Sequence, residues 1–177
     1  MKSTAAAALA LAMVGLSACS GDGAITSTTQ SSPATTAEET TTAAAITPSE
    51  LGDQIGTLYL AVYPDVITLL ADRPDAATAA TELAVLKERY VQQFLAFGHQ
   101  REAMSGADRA TVDARVLLAV NSLPDDTYDA YRQAWTDYSS DTGVAELLAS
   151  FNIIGQYANF DLLREQAPEE AARLGVG

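Results

Sequence analysis

The residue pattern predicts an all-α protein, a single antiparallel bundle of about five helices behind a disordered Ser/Thr-rich tether. From Thr47 onward, apolar residues recur at helical spacing, as in Leu51, Ile55, Leu58 and Val62. Helix-start signals punctuate that pattern, the first being Thr47-Pro48-Ser49-Glu50, with a cap, a first-turn proline and a capping-box acid. No segment alternates with period two for long enough to be a strand. Before Thr47 the chain from Ser20 to Ile46 is mostly Ser, Thr and Ala with no aromatic residue, so burial there cannot offset the entropy of ordering.

Taken in order, the first helix continues through Val66 and Leu69, and Pro64 is expected to kink or split it. Asp72-Arg73-Pro74-Asp75 breaks and recaps the chain. A long helix then runs to about Ala103, with Leu83, Leu86, Tyr90, Phe94 and Phe97 on one stripe. Ser105 with Asp108 opens a third helix whose core face is Val112, Val116, Ala119 and Val120. Ser122-Leu123-Pro124-Asp125 opens a fourth, and Asp126 and Asp129 add charge that the helix dipole favours near its N-terminus. A last long helix is expected from Val144 to Gln166, with Val144, Leu147, Leu148, Phe151, Ile154, Ala158 and Leu162 inward. Gly155 falls on that face, where it would permit close backbone approach. A short helix from Pro168, stopping at Gly175, completes the chain.

Residues 1–18 have the form of a secretory signal: Lys2, an apolar run from Ala5 to Val14, then small residues up to the only cysteine. Leu16-Ser17-Ala18-Cys19 resembles the lipobox of bacterial lipoproteins. That resemblance implies a diacylglyceryl thioether and a fatty acyl group on Cys19, which becomes the first mature residue. A single acyl chain holds a bilayer only marginally, and it is the presence of more than one chain on Cys19 that would make the anchor stable. The expected division is residues 1–18 as signal peptide, 19–46 as lipidated cysteine and tether, and 47–177 as helical domain. A tether of that length reaches about 30 Å, enough to lift the domain clear of lipid headgroups. The expected location is extracytoplasmic, on the cell membrane or, because Ser20 rather than Asp follows the cysteine, on an outer membrane.

Composition narrows the function classes. Ten basic residues stand against 23 acidic ones, a formal net charge of −13, which disfavours nucleic acid and anionic lipid as partners. With Cys19 lipidated, neither a disulfide nor a thiolate metal site remains. The chain contains no Gly-x-Ser-x-Gly elbow, no Cys-x-x-Cys-His and no phosphate-binding glycine loop. Its single histidine cannot supply the two Glu-x-x-His pairs of a ferritin-like di-iron site.

Three groups of residues remain as site candidates. His99 and Glu102, at i and i+3, are weak candidates for metal ligands or for a metal-assisted hydrolase. They partly resemble the Gly-x-His-x-x-Glu motif of imelysin-like periplasmic proteins, although Phe97 occupies the motif's glycine position and the glycine here is Gly98. On a helical wheel His99 falls opposite Tyr90, which places it on the solvent side. Tyr128, Tyr131, Trp135 and Tyr138 give the fourth helix an aromatic face with polar tips, suited to an organic ligand or a peptide. Ile153, Tyr157 and Phe160 form a second apolar side on the last long helix, either covered or offered to a partner. The reading that follows is a non-catalytic, membrane-tethered helical module that binds a protein or small ligand in the cell envelope and uses no resident cofactor.

Overall fold

The computed structural model describes residues 45–177; the expected signal peptide, Cys19 and the expected tether up to Ala44 lie outside the described residues. Among the described residues the elements are α1 (Pro48–Leu70), α2 (Ala76–Glu102), α3 (Gly106–Val120), α4 (Asp125–Asp137), α5 (Thr142–Phe151), a 3-10 turn (Ile154–Ala158), α6 (Phe160–Gln166) and α7 (Pro168–Arg173). The all-α expectation holds, and no strand occurs among these residues.

Local chemistry sets most of the boundaries. Thr47 and Glu50 form the reciprocal capping box of α1, each side chain satisfying a backbone N–H that the first turn leaves unpaired. Asp75 accepts from the Ala77 and Thr78 amides to start α2, Ser105 accepts from Asp108 to start α3, and Asp141 accepts from Val144 to start α5. At α4 the expected serine cap is not made: Pro124 is the cap residue, and the Ser122 hydroxyl instead donates back to the Ala119 carbonyl. Pro64 is exposed and α1 continues through it. At that position the missing N–H and the ring face water.

Helix α1 is the centre of the domain, burying Leu51, Ile55, Tyr59, Val62, Tyr63, Val66 and Leu70 together with Gly52 and Gly56. Gly52 lies against Val112 and Arg115, and Gly56 lies against Ala119, so α1 and α3 run in the same direction and their backbones nearly touch. The return helix α2 carries Arg101 back to Asp113 at the far end. Further along, Tyr128 and Tyr131 pack on Tyr63, and the Tyr138 hydroxyl reaches the Pro74 carbonyl just beyond α1. Helices α3 and α4 therefore follow one another along α1, α3 against its Gly52 and Gly56 and α4 against Tyr63.

The single helix expected from Val144 to Gln166 is corrected to three pieces. Asn152 closes α5, and Asn159 caps α6 by accepting from the Leu162 amide. Asparagine is a poor helix interior residue because its side chain competes for nearby backbone groups, and Gly155 between the two adds to the break. The resulting bend brings both apolar sides of this segment onto the same core: Phe151, Ile154, Tyr157, Ala158, Phe160 and Leu163 are all buried. Gly155 is not the close-approach point; a Cβ there would meet Tyr59 at 3.4 Å, an ordinary contact.

Candidate functional site

At 100° per residue the four aromatics of α4 fall into two pairs, each spaced by seven residues and offset from the other by about 60°. Tyr131 and Tyr138 turn inward, whereas Tyr128 and Trp135 form the outer edge. Tyr131 is fully buried and donates its hydroxyl to the Leu148 carbonyl. That carbonyl belongs to the last turn of α5, where the amide four residues on, Asn152, bonds Ala149 instead. Tyr138 donates to the Pro74 carbonyl at 2.6 Å. These two tyrosines, expected among the ligand residues, are thus structural: each supplies a donor to an internal backbone carbonyl.

Behind them lies a cluster of rings. Tyr63 meets Tyr131 edge to face at 5.1 Å and Tyr59 at 5.5 Å, with the Tyr59 and Tyr63 hydroxyls 2.6 Å apart. Burial pushes the phenols of Tyr59, Tyr63 and Tyr131 above their ordinary range, so they stay protonated and act as hydrogen-bond donors rather than bases. The chain has seven tyrosines, and six hydroxyls have internal partners, since Tyr90 donates to Asp65 and Tyr157 to Glu170. Tyr128 is the exception among the described residues. Its ring is 40% exposed and stacks on Tyr131 at 6.4 Å and 18°.

Tyr128 and Trp135, with Arg132, Thr136 and Ser139, line an open depression of about 310 Å³ along the outer face of α4. Trp135 is half-buried, and its indole N–H has no hydrogen-bond partner among the described residues. Arg132 reaches Asp129 at 3.7 Å in an exposed pair, an arrangement that leaves both charged groups available to a ligand. Arg132, Thr136 and Ser139 are not among the residues expected from the sequence, although they follow Tyr128 at four, eight and eleven residues on one helical stripe.

A contrast of conservative variants separates the structural ring from the exposed one. Tyr131→Phe is expected to cost about 1–2 kcal/mol, because the Leu148 carbonyl is left buried without its donor. Tyr128→Phe is expected to change stability by less than about 0.5 kcal/mol. Urea denaturation of the two variants checks this, and equal losses would show that Tyr128 has an internal partner.

The second apolar side does not form an exposed strip. Tyr157 and Phe160 are 6% and 2% exposed, and Ile153 alone of the three faces water, at 51%. The Tyr157 hydroxyl donates to Glu170, whose carboxyl is held down to about 2 by Arg173 and by this bond, while burial pushes the Tyr157 phenol up to about 12.

His99 and Glu102 do not converge on a common point. His99 is exposed and sets its ring edge against Phe160, with centroids 5.0 Å apart. Glu102 instead joins an ion network at the end of the bundle. Its Oε1 accepts from Arg164 at 3.3 Å, and Oε2 lies 3.7 Å from Arg109. The buried Arg101 holds Asp113 through two bonds of 2.9 and 2.8 Å and also reaches Asp161 at 3.5 Å. Guanidinium groups around Glu102 disfavour a cation there. Among the described residues no three His, Cys, Asp or Glu side chains are grouped as a metal ion would need.

A second open depression, about 350 Å³, lies between α1 and α3 and is lined by Asp53, Thr57, Leu60, Arg115, Leu118, Ala119 and Ser122. Arg115 closes one side of it by a two-bond pair with Asp53, both at 2.7 Å. No protein-family model matches the chain, and comparison with curated proteins and with solved structures gives no match either. The functional reading therefore stands on the residues of the site and on the pattern before Thr47.

Proposed function

We propose that this protein is a lipid-anchored component of the bacterial cell envelope whose helical domain is a non-catalytic binding module, with the outer face of α4 as its binding surface. The observation that carries the reading is the division among the aromatic side chains. Six tyrosine hydroxyls are engaged inside the domain, whereas Tyr128 and Trp135 both line a depression and their polar tips have no partner among the described residues. Large rings held from behind lose little freedom on contact with a ligand, which is why Tyr and Trp dominate binding surfaces.

The anchor rests on the lipobox pattern ending at Cys19. None of the described helices is long and apolar enough to cross a membrane. The strongly acidic balance supports an uncharged or basic partner rather than nucleic acid. Cys19→Ala is expected to move the protein from the membrane to the soluble fraction without changing its circular dichroism. Detergent-dependent membrane retention of this variant would overturn the anchor. For the binding surface, crosslinking in native membranes is expected to yield an adduct that is lost in Tyr128→Ala with Trp135→Ala. An adduct unchanged in the double variant would place binding elsewhere.

A further inference from the structure

We infer that the α4 depression takes a neutral saccharide, stacked on Tyr128 and Trp135. This ligand class rests on the reading of that depression as the binding surface.

Shape is the first argument. Four of the five lining residues come from α4 and the fifth, Ser139, lies two residues past its end, so a ligand resting there keeps one side in water. Apolar ligands gain mainly when about 70–90% of their surface is enclosed, which a single helix face does not provide. A flat aromatic ligand would likewise need a second ring opposite the first. A pyranose needs neither, because its C–H face can lie on an aromatic ring while its hydroxyl edge stays wet. Tyr128 is suited to that contact, since Tyr131 backs it and Tyr63 meets it edge-on at 6.3 Å.

Hydrogen-bonding capacity is the second. The Thr136 hydroxyl donates to the Arg132 carbonyl at 2.9 Å, and the Ser139 hydroxyl donates to the Thr136 carbonyl at 2.8 Å. Both protons are therefore spent on backbone carbonyls, which leaves these two lining hydroxyls as acceptors. Arg132, the Trp135 N–H and the Tyr128 hydroxyl supply donors beside them. A sugar hydroxyl both donates and accepts, so this mixed set matches it better than a carboxylate or an ammonium group.

Charge is the third. Asp125, Asp126, Asp129 and Asp137 lie on the same helix and oppose an anion, while Arg132 within the depression opposes a cation. A neutral ligand avoids both penalties.

Trp135 is the chain's one tryptophan, so tryptophan emission, excited at the red edge where the seven tyrosines do not absorb, reports on this depression. The full chain, in a detergent without a sugar headgroup, is titrated with cellohexaose, maltohexaose and chitohexaose. A saturable change with at least one of them is expected, with a dissociation constant of about 0.1–1 mM for so open a site. Tyr128→Ala is expected to weaken it about tenfold or more, and Thr136→Val about threefold, with unfolding midpoints as controls for folding. No response to any of the three up to about 10 mM overturns the saccharide assignment, and so does a response that Tyr128→Ala leaves intact. If sugars fail but the membrane crosslink is still lost in the double aromatic variant, the ligand class falls and the binding surface stands. If the crosslink also survives, both fall.

Discussion

Phe160→Ala is expected to destabilise the domain by about 3–5 kcal/mol, the range for deleting a large buried aromatic side chain. Phe160 is the first residue of α6 and is 2% exposed. One side of its ring lies against Gly98 of α2, where a Cβ would collide with the ring, and the His99 ring packs on it as well. Truncation would leave a void between two elements that reach each other there through this ring, and backbone on the Gly98 side cannot move in to fill it. Denaturant melts give the size of the loss. A change below about 1 kcal/mol would mean that this side of the terminal segment is not covered, returning Phe160 to the candidate partner surface.

Gly56→Leu is expected to cost about 3 kcal/mol or more by overpacking the contact between α1 and α3. Helix propensity alone predicts the opposite sign, a gain of about 1 kcal/mol on replacing glycine inside a helix. Burial decides between them: a Cβ at Gly56 would run into the Ala119 Cβ, and one turn earlier a Cβ at Gly52 would stand 2.8 Å from the Val112 carbonyl oxygen. Neither neighbour is the end of a flexible chain, so relief requires the two helices to separate. That separation would also strain the Arg115 to Asp53 pair that bridges them. An unchanged or raised unfolding midpoint in Gly56→Leu would show that the helices slide apart at little cost.

The sequence by itself determined the all-α class, the caps at Thr47, Asp75 and Ser105, and the inward stripe of α2, because these depend on interactions within a few residues or on the helical period. Local terms were also enough to place Tyr128, Tyr131, Trp135 and Tyr138 on one broad face. They were not enough to divide that face, since its inward half is defined by Leu148 and Pro74, far away in the chain. The continuous helix expected from Val144 to Gln166 failed for a related reason. Its apolar periodicity is real, but Asn152, Gly155 and Asn159 weaken it locally, and bending there buries Tyr157 and Phe160 together with Phe151 and Ile154. Only the tertiary structure decided this, because a covered apolar face and an exposed one have the same sequence period. Tertiary contact likewise turned Glu102 toward Arg109 and Arg164 and brought the paired glycines of α1 against α3, since which elements meet is set by burial across the whole domain rather than by the spacing along any one helix.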